Sequence, residues 1–149
     1  MKSKMMLATL LLLVLSLAPS LHATCSTATV SGEWGFTLTG VVLSPNGPVP
    51  VAAVLHGTAD VNGNVSGIEA RSLGGEYADE TFTGSWSVGS DCVATATVVF
   101  KEGGEAVRTS VVTAVFDDNS NHVRMVQKSL TLPDGSELPV IVTVEGTKH

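Results

Sequence analysis

Val30-Ser31-Gly32-Glu33-Trp34-Gly35-Phe36-Thr37-Leu38-Thr39-Gly40-Val41-Val42-Leu43-Ser44 alternates with a period of two. Val30, Gly32, Trp34, Phe36, Leu38, Gly40 and Val42 fall on one side of an extended chain. Ser31, Glu33, Thr37 and Thr39 fall on the other, which is the pattern of a strand with one buried face. Pro45-Asn46-Gly47-Pro48 then turns the chain.

The same rhythm continues to the C-terminus. Val51, Ala53, Leu55, Gly57 and Ala59 are in phase on a second run, Val49 to Asp60, and Asn62-Gly63 predicts a type I′ hairpin into a third, Asn64 to Leu73. Gly74-Gly75 breaks that run, and Glu76, Tyr77, Asp79 and Glu80 read as an acidic loop before Phe82, Gly84, Trp86 and Val88 resume the alternation. Further runs, Cys92 to Lys101, Ala106 to Phe116, His122 to Leu132 and a last one carrying Leu138, Val140, Val142 and Val144, are separated by glycine- and asparagine-bearing turns. Eight strands joined by short turns, with no helical period between them, predict an all-β fold: an eight-stranded antiparallel up-and-down β-barrel, whose closure removes the exposed edges of an open sheet.

The third run admits two phases. If Val65 and Gly67 face inward, so do Glu69 and Arg71; in the opposite phase Ile68 and Ala70 are core and the charges are solvated. The second phase is expected, because a solvated charge has no burial cost.

The region before the first strand predicts export. Lys2 and Lys4 precede an apolar stretch from Met5 to Ala18, followed by Pro19, Ser20 and the small residue Ala23, the three-part pattern of a secretory signal peptide. The apolar run is shorter than the roughly 18 residues of a membrane-spanning helix. Residues 1–23 are therefore read as a signal peptide and residues 24–149 as a single β-barrel domain, secreted or periplasmic after cleavage near Ala23. A lipoprotein signal would place a small residue directly before Cys25, where this chain has Thr24.

The chain has eight Lys and Arg against fourteen Asp and Glu; cleavage would remove Lys2 and Lys4 and no acid, leaving a formal charge of −8. With no basic run, nucleic acid is not an expected partner. The two cysteines, Cys25 and Cys92, are expected to pair in an oxidising compartment. No Gly-x-Ser-x-Gly elbow, phosphate loop, His-Glu-x-x-His or Cys-x-x-Cys occurs. His56, His122 and His149 are too dispersed to suggest a metal site. Asp60, Asn62 and Asn64 open like a calcium loop, but Val65 and Arg71 stand where it requires Gly and Glu. No metal and no cofactor is expected. An outer-membrane barrel would need an outward apolar band with aromatic girdles; Trp34, Phe36, Phe82 and Trp86 instead share faces with the other apolar residues, so an integral membrane protein is not expected.

The Gly32-Glu33-Trp34 triplet near the start of the first strand resembles the Gly-x-Trp signature of the calycins, the lipocalins and avidins, in which the tryptophan closes one end of the barrel. Trp34-Gly35-Phe36, the hairpin Asp60 to Gly67 and Asp91-Cys92 resemble small secreted bacterial proteins with an allene oxide cyclase-like barrel. The chain departs from both patterns in part: its final strand offers Lys148 where a lipocalin has an arginine, with Arg124 a strand earlier, and two tryptophans do not make an avidin biotin site. The resemblance implies a fold more than an activity. Three functions are carried forward: a non-catalytic module holding a small apolar ligand against Trp34, Phe36, Phe82 and Trp86; an allene oxide cyclase-like enzyme, for which Glu69 is the candidate carboxylate; and a barrel with a filled interior serving structure or interaction.

Overall fold

A computed structural model describes residues 24–117 and 119–149; the expected signal segment, 1–23, lies outside the described residues. Eight strands, β1 (Gly32–Ser44), β2 (Gly47–Ala59), β3 (Asn64–Leu73), β4 (Glu76–Val88), β5 (Val93–Glu102), β6 (Glu105–Asp117), β7 (His122–Thr131) and β8 (Val140–Lys148), follow one another around a closed barrel. Each pairs antiparallel with the next, and β8 returns to β1 in a register running from Trp34↔Lys148 to Val42↔Val140. This is the architecture that the two-residue alternation predicts.

Cross-strand partners point to the same side of a sheet, so the phase of one strand propagates to its neighbours. Gly57 pairs with Gly67, Gly67 with Phe82 and Phe82 with Phe100, one inward course around the wall. The glycines there are demanded by space. A Cβ on Gly57 or Gly67 would lie 2.6 Å from Cζ of Phe82, and one on Gly67 would also lie 2.2 Å from the carbonyl oxygen of His56.

The same ladder overturns the expected phase of the third strand. Leu55, Glu69 and Glu80 are successive partners, so Glu69 points inward with Leu55 and is 2% exposed, while Ile68 is 62% exposed. Turning Ile68 inward would move Val65 and Gly67 outward and remove the space that Phe82 occupies. The stretch expected as an acidic loop is also strand: β4 begins at Glu76, and Glu80 is buried.

The hairpin after β2 is a further correction. Positive φ occurs at Gly63 (87°) but not at Asn62, and the Gly63 N–H donates to the Asp60 carbonyl at 3.0 Å. This is a type I turn followed by a left-handed glycine rather than type I′. Oδ1 of Asp60 accepts from the backbone N–H of Asn62 (2.9 Å) and of Asn64 (2.8 Å), which holds the loop in the wider form.

The two ends of the barrel differ. At one, residues 24–31 tuck under the strand ends: Val30 is fully buried, and its carbonyl accepts from Nε1 of Trp34 at 2.9 Å. Trp34 stacks on Phe36 and meets Trp86 and Phe116 edge to face, with centroids 5.7 to 6.0 Å apart. A Cys25–Cys92 disulfide ties this lead to the β4–β5 turn. Lys148 donates from Nζ to the Thr29 carbonyl at 3.2 Å, whereas Arg124 pairs outside with Asp117. The opposite end is formed by the turns after β1, β3 and β5 and by the longer β7–β8 connection.

Candidate ligand-binding interior

The inward faces of the strands enclose two cavities that share Leu38, Phe100, Ser110 and Gln127 in their walls. The one nearer the plugged end has a volume of about 90 Å³ and is almost wholly apolar. Trp34, Phe36, Phe82 and Trp86, the four residues expected to meet a ligand, all line it. They converge because each occupies the inward phase of β1 or β4, and because Gly57, Gly67 and Gly146 leave room for rings: a Cβ on Gly146 would lie 2.3 Å from Phe36.

The second cavity, about 190 Å³, lies toward the opposite end and carries the charge. Apolar residues of its rim, among them Val42, Val51, Leu73 and Val140, surround Glu69 and Arg71 of β3, Glu80 of β4 and Arg108 of β6. Arg108 bonds Oε2 of Glu69 through Nη2 and Oε2 of Glu80 through Nη1. Arg71 donates to Oε1 of Glu80 from Nε at 3.0 Å and from Nη2 at 2.8 Å. The Arg108 guanidinium also lies over the Phe100 ring, 4.0 Å from its centroid, so its apolar face has a partner too.

The two carboxyls are unequal. Burial pushes Glu69 up to about 7, against the pull of Arg108 and with Glu80 adding to the rise from across the ladder. Burial also acts to raise Glu80, but Arg108 and Arg71 together outweigh it and hold that carboxyl below its usual range. Glu80 is thus the fixed anion of the cluster, and Glu69 is the group that titrates near neutrality.

Two buried side-chain atoms among the described residues have no hydrogen-bond partner: Oε1 of Glu69 and Nε1 of Trp86. One belongs to a wall of each cavity. Trp86 lies among the perpendicular rings of Trp34 and Phe116, whose faces are weak acceptors. Glu69 has no such substitute.

The remaining candidates lie elsewhere. His56 faces out, as its phase predicts, with its ring 6.5 Å from that of His149. Nδ1 of His122 bonds Asp117 at 2.7 Å. Among the described residues, no group of three or more His, Cys, Asp or Glu side chains is placed to hold a metal ion. Sequence reasoning did not single out Glu80, Arg108, Ser110 or Gln127 for the interior. The signal was present for all four: Glu80 continues the phase of Phe82 and Trp86 backward, and Arg108 and Ser110 continue that of Ala114 and Phe116. Gln127 continues that of Val123 and Met125, and the bulge that follows it, where the β6–β7 register shifts between Val111 and Val112, hands the inward phase to Leu130.

Among solved structures the chain is similar to a redesigned β-barrel, mFAP1, determined bound to DFHBI: 14% identity, covering 82% of this chain and 97% of that one, with a TM-score of 0.51. At that identity the likeness is one of fold. No protein-family model and no curated protein matches the chain.

Proposed function

We propose that the protein is an exported, non-catalytic barrel that holds a small, mainly apolar ligand inside. The observation that carries this reading is the aromatic cavity itself: Trp34, Phe36, Phe82 and Trp86 surround about 90 Å³ of space adjoining a larger cavity toward the end opposite the lead. Apolar recesses with a few convergent polar groups, at the mouth of a barrel, are common ligand sites. The DFHBI complex of the structurally similar barrel supports the reading to the extent that an eight-stranded wall of this kind can enclose a small molecule. Outward-facing Thr, Ser and Glu on the strands, such as Thr83, Ser85 and Glu145, support an aqueous surface. The pattern of residues 1–23 supports export, and the Cys25–Cys92 disulfide agrees with an oxidising compartment.

The test is titration of the folded, oxidised protein with the uncharged fluorophore N-phenyl-1-naphthylamine. Saturable binding with a change in tryptophan emission is expected, and a folded protein that binds none would favour the structural barrel with a filled interior. The inward turn of Glu69 favours one second reading, an allene oxide cyclase-like isomerase using that carboxyl. Its test is turnover of an unsaturated epoxide by the wild type and not by Glu69→Gln.

A further inference from the structure

Glu69 faces the larger cavity with only one of its oxygens engaged. Oε2 accepts from Arg108, while Oε1 is buried without a partner. The neighbouring cations are already committed. Arg71 directs Nε and Nη2 at Glu80, and Arg108 spans Glu69 and Glu80. Among the described residues, the other strands present no further charge to this cavity: Leu38 from β1, Val51 from β2, Phe100 from β5, Gln127 and Leu130 from β7, Val140 and Val142 from β8. A buried polar oxygen beside an open volume is therefore left for a molecule that enters from outside.

We propose that Oε1 of Glu69 is the recognition point for a head group, and that the ligand is a small amphiphile with an uncharged oxygen that accepts but does not donate hydrogen bonds, a carbonyl, at the end of a hydrocarbon part that runs into the aromatic cavity. This rests on the reading that the interior holds a ligand. The choice of head follows from the surrounding charges. An ammonium would meet the two guanidiniums of Arg71 and Arg108. A carboxylate would meet Glu80, and Glu69 itself whenever that group is ionised. A carbonyl oxygen, which has no proton to donate, accepts a hydrogen bond from Glu69 while its carboxyl carries a proton on Oε1, the oxygen not engaged by Arg108. Deprotonation removes that donor, so binding should weaken with rising pH.

The experiment compares octan-2-one, octylamine and N-phenyl-1-naphthylamine on the folded, oxidised protein at pH 6 and pH 8, by calorimetry for the first two and fluorescence for the third. The ketone's affinity is expected to fall about tenfold from pH 6 to pH 8, as the protonated fraction of a group titrating near 7 falls. The naphthylamine affinity should stay level. Glu69→Gln, whose amide donates at either pH, should keep ketone binding and lose its pH dependence. Ketone binding that is equal at both pH values, a tenfold fall that persists in Glu69→Gln, or octylamine bound as tightly as the ketone at pH 6 would each overturn the proposal. If the naphthylamine binds while the ketone shows none of this behaviour, only the head-group inference fails. If neither binds, the ligand-binding reading fails and the inference falls with it.

Discussion

At the scale of single residues, Trp34 and Glu69 carry opposite burdens. Trp34 is 1% exposed, packs on three aromatic rings and has its indole N–H satisfied by Val30. Trp34→Ala is expected to destabilise the protein by about 3–5 kcal/mol, read from the urea midpoint. Glu69 gives a pH signature instead. An acid whose folded pKa lies above its unfolded one binds its proton more tightly when folded, so its stabilising contribution is complete below pH 4.5 and is lost as pH rises through about 7. Glu69→Gln should abolish that loss: urea unfolding at pH 5 and pH 8 is expected to show a wild-type decline, on the order of a few kcal/mol, that the variant lacks. If Glu69→Gln shows the same decline, the titrating group is another. The aromatic members of the interior were legible in the sequence because each stands in an unbroken alternation. Glu69 was misread because a lone strand cannot show what faces it: burying a charge is unfavourable on its own, and Arg108, which bonds it, lies 39 positions away.

Strands settle what single residues leave open. The eight runs were visible because a period of two survives even where the composition is mostly Gly, Thr and Val, and turn residues punctuated each one. Strand ends were less legible: β4 starts in a polar stretch whose side chains are in solvent except Ala78 and Glu80, so hydrophobicity gave no hint of strand there. The type of the β2–β3 turn was missed because the Asp60 carboxylate, three residues before Gly63, competes for the backbone N–H groups of the loop. The β2–β3–β4 course around Phe82 is a test of register. Gly67→Ala puts a methyl 2.2 Å from the His56 carbonyl and 2.6 Å from the Phe82 ring. Backbone on one side and a packed ring on the other leave little room to yield, so a loss of about 1–3 kcal/mol is expected in thermal unfolding. An unchanged midpoint would mean that the β2–β3 ladder is looser than the register implies.

For the whole molecule, the disulfide and the lead it secures make one end of the barrel a floor. Cys25 and Cys92 close a loop of 67 positions, for which chain entropy predicts a contribution of up to about 4 kcal/mol. Replacing both with serine is expected to lower stability by no more than that, and to raise acrylamide quenching of Trp34 if residues 24–31 leave the barrel. Unchanged stability and quenching would show that packing of Val30 alone holds the floor. The seam between β1 and β8 has a different consequence. It joins residues 34–42 to residues 140–148, the most distant segments that any ladder of the barrel brings together. Contacts so far apart in the chain make folding slow, and they form last when a ribosome delivers the N-terminal strand first. Until the final nine-residue strand arrives, β1 and β7 each present a bare row of peptide groups that another copy could pair with. Refolding yield should therefore fall as protein concentration rises, because intramolecular closure then competes with association between chains.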